Sequence, residues 1–223
     1  MATIFKSFIN NDVATTRTLL HEAIPLTGTI VSGTYTGDSN IKNYAHGMFQ
    51  SVYDYPYLSS SANHVFDITV GLSPQSNLSQ SSPLGESQQP KKINIYNQMA
   101  QMLVGYKEDG TIREFDQDGD LSGGTKLREV VFVNFARLLN KDEIKKGSFS
   151  IQFLTGGTTT KRVPSVTLSE PIKINDSGSA TDYRVNSPAG EYGILYSETG
   201  SQVGLIYYQA GVIVLTGAVF GGD

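Results

Sequence analysis

Residues 191–220 run EYGILYSETGSQVGLIYYQAGVIVLTGAVF, and three strands can be marked in them directly. Tyr192 to Tyr196 and Val203 to Tyr208 are apolar, aromatic and β-branched runs of strand length. The Ser-Glu-Thr-Gly-Ser-Gln between them has the composition of a hairpin connection. Gly211 opens a third strand, Val212 to Leu215, so the segment is predicted to be a three-strand meander. Leu205-Ile206-Tyr207-Tyr208 and Val212-Ile213-Val214-Leu215 are apolar at successive positions, which demands cover on both faces. That cover is either the interior of a sandwich under an arm of the same chain or a neighbouring subunit.

Upstream the same vocabulary recurs. Ser148 to Leu154 alternates Phe149, Ile151 and Phe153 with Ser148, Ser150 and Gln152, an antiparallel strand with one buried and one wet face. Val130 to Phe135, His64 to Gly71, Thr27 to Tyr35, Arg162 to Leu168 and Ile172 to Ile174 are further strand candidates. Helical signals are fewer. Asp12 can cap Val13 to Ala23, and Ile93 to Val104 places Tyr96, Met99, Met102 and Leu103 on one face before Gly105 stops it. Leu138 to Lys146 reads as one helical turn or a hairpin loop, and Tyr44 to Tyr57 is left unassigned. Ser73 to Pro90, SPQSNLSQSSPLGESQQP, has too little apolar surface to offset the entropy of ordering it and is predicted to be a long exposed loop or arm. The fold class is therefore mainly β, an antiparallel sandwich or barrel-like sheet with two or three short helices, in one domain spanning 1–223 with a polar loop at 73–90.

Composition narrows the chemistry. The chain has 223 residues, long enough to bury a sizeable core, and no cysteine, which removes disulfides, thiolate metal sites and cysteine nucleophiles. A net charge of −4 with 17% charged residues offers no field for a phosphate backbone, so no nucleic acid partner is expected. The run Gly211 to Phe220 is far shorter than the roughly 20 apolar residues of a membrane helix, and no membrane partner is expected either. Met1 to Val13 does not read as a secretory signal, which points to the cytoplasm in which the chain is made.

Candidate chemical groups are weak. Asp116, Asp118 and Asp120 present carboxylates at alternate positions, as calcium loops do. Aligned to such a loop from Asp116, however, Leu121 stands where glycine is required and Leu127 where the bidentate glutamate belongs. A solvated turn is the favoured reading, with calcium the alternative. His21, His46 and His64 form no metal-ligand pair, and no serine sits in a nucleophile elbow. Gly123 to Lys126 and Gly156 to Lys161 lack phosphate-loop spacing, and Glu108/Asp109 and Asp142/Glu143 lie in polar surroundings that raise no carboxyl pKa. No catalytic, cofactor-binding or metal-binding residue is assigned. Tyr44, Tyr53, Tyr55 and Tyr57 could stack on a sugar in a carbohydrate-binding fibre module, although tyrosine clusters more often serve core or interface.

The stretches IFKSFINNDVATTRTLLHEAIPLTG, KINIYNQMAQMLVGYKEDGTIREFD, REVVFVNFARLLNKDEIKKGSFSIQF and EYGILYSETGSQVGLIYYQAGVIVLT resemble segments of structural proteins from contractile-tailed bacteriophages, especially T4-like marine and cyanobacterial ones. The resemblance implies a non-enzymatic virion subunit of the tail, baseplate or neck, assembled in the host cytoplasm from copies of itself and other virion proteins. A capsid or decoration protein is the alternative within that class. It also implies that the chain is the N-terminal portion of a longer product. No catalytic residue or cofactor is carried over.

Overall fold

The computed structural model describes residues 41–43, 48–54, 63–80, 89–135, 143–153 and 172–220. Eleven strands lie in them: β1 (Ile41–Asn43), β2 (Gln50–Asp54), β3 (Asn63–Leu72), β4 (Phe115–Asp116), β5 (Lys126–Leu127), β6 (Glu129–Asn134), β7 (Ser150–Phe153), β8 (Ile172–Asn175), β9 (Tyr192–Ser197), β10 (Gln202–Tyr207) and β11 (Val212–Thr216). The helices are α1 (Asn77–Gln80) and α2 (Gln89–Leu103). Nine strands form one sheet in the order β1-β2-β3-β6-β11-β10-β9-β8-β7, with every pairing antiparallel, and β4 and β5 form a separate hairpin.

The meander β9-β10-β11 sits at the centre, where its successive apolar residues divide between two cores. Tyr192, Ile194, Leu205, Tyr207, Val212 and Val214 enter one, under α2 and the β4-β5 hairpin. Leu195, Ile206, Tyr208, Ile213 and Leu215 enter the other, against Ile144, Phe149 and Ile174. A register shift between Gln202 and Gly204 explains why Val203 and Ile206, three residues apart, share the second core. Each fully buried Leu, Ile or Phe contributes about 1.5–3 kcal/mol, so both faces stabilise the sheet substantially.

The second core is made possible by curvature. Phe153 of edge strand β7 meets Phe220, which follows β11, with ring centroids 5.0 Å apart. In a flat sheet, four strand spacings of about 4.8 Å would separate β7 from β11. Phe66 of β3 reaches Phe135, which in turn reaches Phe149 just before β7. The sheet therefore curls around this face, a partial barrel.

Helix α2 covers the first face. Pro90 occupies its first turn, where a missing N–H removes no helical bond, and Gly105 ends it at φ 75° with its N–H donated to Ala100 O at 2.9 Å. Ile95, Tyr96, Ala100 and Leu103 are buried beneath it. The helix approaches β3 so closely that a Cβ on Gly71 would lie 3.2 Å from Tyr96 Cα and 2.5 Å from the Phe132 ring.

The mainly-β antiparallel expectation is met, as are the meander, the Ile93–Val104 helix and the half-wet strand, in which Ile151 and Phe153 are half-buried while Ser150 and Gln152 are exposed. Both central faces are covered within the chain, without a neighbouring subunit. Two expectations need correction. Met102 is exposed, because the buried stripe runs through Ala100 and Leu103 and leaves it on the far side. The polar stretch from Ser73 is anchored at its start: Ser73 and Ser76 are buried, their hydroxyls donated to Glu114 and Glu129 at 2.6 and 2.8 Å, and Asn77–Gln80 is helical. Side-chain hydrogen bonds supply there what apolar burial could not. Val13 to Ala23, Thr27 to Tyr35 and Arg162 to Leu168 lie outside the described residues.

Candidate functional site

The hairpin β4-β5 carries the acidic cluster. Phe115 and Leu127 pair across it and are both buried, and the Phe115 ring packs edge-on to Tyr96 and Phe132 at 5.4 and 5.6 Å between centroids. The Tyr96 hydroxyl donates to Leu127 O at 2.8 Å and accepts Phe115 N–H at 3.2 Å, so one side chain fastens both strands. The loop between the strands is wound tightly, with Gly119, Leu121, Gly123 and Gly124 all in the left-handed region. Leu121 tolerates φ 63° because its side chain packs against the core. That is the position at which a calcium loop requires glycine for its sharp turn, and the backbone here makes a left-handed turn without one.

Oxygens of Asp116, Asp118 and Asp120 converge in this loop, within 4.8 Å of one another. Their settings differ. Asp116 is fully buried, Asp118 half-buried and Asp120 exposed, so the cluster is not wholly the solvated turn its composition suggested. Lys126 Nζ lies 2.6 Å from Asp116 Oδ2, and Asp116 Oδ1 is buried without a hydrogen-bond partner. Desolvation raises the Asp116 carboxyl above its ordinary pKa, the Lys126 ammonium opposes this, and the charges on Asp118 and Asp120 raise it further. Asp118 Oδ1 accepts the N–H of Asp120 at 3.3 Å, and Asp120 Oδ1 that of Ser122 at 2.6 Å. Tyr192 closes the inner side, its hydroxyl 2.7 Å from Gly119 O.

A second polar group lies on β2 and β3. Ser51 Oγ donates to Asp67 Oδ1 at 2.5 Å, and His64 Nε2 lies 2.7 Å from the same oxygen. A hydrolytic triad needs the imidazole between serine and carboxylate. Here the carboxylate is in the middle, so the serine proton points at Asp67 and the imidazole has no access to it. Tyr53 stands edge-on to His64 at 5.5 Å and is half-buried. His21, His46, Tyr44, Tyr55, Tyr57, Asp142 and Gly156 to Lys161 lie outside the described residues.

An open crevice of about 590 Å³ is lined by Ser73, Asn97, Lys107, Asp109, Arg113 and Glu114 among others, and among the described residues no histidine lines it. Its serine hydroxyl is committed to Glu114, whose Oε1 also lies 3.3 Å from Arg128 Nε. Asp109 is exposed and is held below the usual carboxylate range by hydrogen bonds from the Thr111 hydroxyl and N–H, the setting of a turn. Glu143 lies 3.5 Å from Lys146. Among the described residues no helix is long and apolar enough to cross a membrane.

No family model, no curated protein and no solved structure matches the chain. What defines the described residues is thus an antiparallel, curled sheet with two internal cores and one convergent acidic loop.

Proposed function

We propose that this chain is a non-enzymatic structural subunit that assembles in multiple copies in the tail, baseplate or neck of a tailed-phage virion. One observation carries the assembly part. The nine-stranded sheet ends in two outer strands, β1 and β7, each hydrogen-bonded to a neighbour strand on one side only among the described residues. An outer strand is a template for strand addition, a mode in which backbone hydrogen bonds supply affinity and alternate side chains supply register. The central strands β9, β10 and β11, covered on both faces by their own chain, are a stiff frame that could transmit load. The virion location rests on the resemblance of the four sequence stretches to contractile-tail proteins.

Quantitative mass spectrometry of purified particles from a phage that encodes the chain tests this, with the major capsid protein as the internal standard. A fixed copy number in multiples of three or six is expected. Absence of the chain from the particle would overturn the proposal, and a copy number matching the icosahedral shell would move it from tail to capsid.

A further inference from the structure

We infer that the loop between β4 and β5 binds one calcium ion on the carboxylates of Asp116, Asp118 and Asp120. Acidic residues gathered in a turn would not by themselves point to a ligand. The buried Oδ1 of Asp116 does. It belongs to a side chain with no exposed surface and has no hydrogen-bond donor, so a polar atom is buried there without compensation. Lys126 satisfies the other oxygen, Oδ2, only. Oδ1 faces the loop interior. A Cβ built on Gly124 would lie 3.1 Å from it and 3.3 Å from Asp118 Oδ2, so both oxygens border one space that glycine keeps open.

The donors select the cation class. The cluster is built of carboxylates alone, which suits a hard, oxygen-seeking ion. Three carboxylates against the Lys126 ammonium leave two negative charges, the complement of a divalent cation. Magnesium prefers a near-ideal octahedron at about 2.0–2.1 Å with several retained waters, whereas calcium accepts irregular loops at about 2.3–2.6 Å. Opposite ligands of a calcium ion lie about 4.6–5.2 Å apart, which accommodates oxygens within 4.8 Å of one another. The remaining positions would be filled by water or backbone carbonyls. This site does not depend on the assembly role.

Isothermal titration of the full chain, stripped with EDTA and then given CaCl₂, tests it. One ion per chain is expected, with a rise in thermal midpoint on binding. Asp118→Asn with Asp120→Asn should weaken binding by about tenfold or more, since affinity follows ligand charge count. Because these side chains are half-buried and exposed, the doubly substituted chain should unfold in EDTA at the unsubstituted midpoint. Terbium(III), a luminescent stand-in of calcium's size, adds a positional readout. The chain has no tryptophan and the Tyr192 hydroxyl lies against Gly119 of the loop, so Tyr192→Phe, which removes the sensitising phenol and leaves the carboxylates in place, should sharply lower sensitised emission, while the double substitution abolishes it by releasing the ion. No binding heat, or equal affinity in the double variant, would overturn the inference; magnesium bound as tightly as calcium would overturn the choice of ion.

Discussion

The Tyr208 hydroxyl donates to Oδ2 of Asp176 at 3.0 Å, and both residues are fully buried. The same carboxylate accepts the N–H groups of Gly147 and Phe149, each at 2.8 Å, so one side chain ties the turn before β7 to the end of β10. Asp176→Ala strands two buried donors, the Tyr208 hydroxyl and the Phe149 N–H, and leaves the N–H of exposed Gly147 to water. At about 1–3 kcal/mol for each donor left buried and unpaired, a loss of roughly 2 kcal/mol or more is expected. Tyr208→Phe removes one bond and keeps the ring, for about 1 kcal/mol. Urea midpoints should rank the two in that order, and an Asp176→Ala chain no less stable than Tyr208→Phe would show that the carboxylate does not act as a clamp.

Alkaline pH should unfold the protein through its buried tyrosines. Desolvation pushes Tyr192 up to about 12 and raises Tyr96, Tyr207 and Tyr208 as well. An unfolded tyrosine ionises near pH 10. Above that the unfolded chain has released protons that the native chain still holds, so stability falls as pH rises; below about pH 9 the contribution is fully present. Urea midpoints measured from about pH 9 to 11.5 should therefore decline, with tyrosinate absorbance from these residues appearing together with loss of circular dichroism. A midpoint constant across that range would mean that these hydroxyls reach solvent in the native state.

Close packing of backbone on backbone makes a sharper claim at Gly204. A Cβ there would lie 2.1 Å from Val214 O in the neighbouring strand, and a carbonyl held in the sheet cannot swing aside as a side chain can. Gly204→Ala is expected to cost about 2–3 kcal/mol. Gly178 is the contrast, since its Cβ would meet only Tyr196 Cε2 at an ordinary 3.6 Å. Gly178→Ala should stay within about 0.5 kcal/mol, as surface substitutions usually do. Equal effects at the two positions in thermal unfolding would count against the strand spacing described.

What the sequence makes legible here is local. The β9-β10-β11 meander and α2 announce themselves through runs of apolar residues bounded by glycine. The pairing of β11 with β6, and of β6 with β3, joins residues such as Val214, Phe132 and Thr69 that are distant in the chain, and no local pattern encodes it. The acidic loop was visible as a motif, but its character was not. Leu121 looked like a disqualifying residue because sequence templates count residue types, whereas the chain satisfies the geometry by packing Leu121 against the core at positive φ. Likewise Asp116 is buried by tertiary contacts of its neighbours Phe115 and Leu127, so the one available signal was a phenylalanine directly before the first aspartate.

The outer strand β7 gives the assembly proposal its most direct test. Ser150 and Gln152 are exposed while Ile151 and Phe153 turn toward the core, so the two polar positions can be changed without disturbing the packed face. Natural sheets protect their edges with lysine, whose charge a second strand cannot easily accept. Ser150→Lys with Gln152→Lys should leave the unfolding free energy within about 0.5 kcal/mol of the original, because both side chains remain in water. Sedimentation velocity of the same variant should show assembly weakened by about tenfold, the equivalent of roughly 1.4 kcal/mol per edge contact. Assembly unchanged by lysine on β7 would show that copies of this chain do not join through that strand, and would leave β1 as the other outer strand among the described residues.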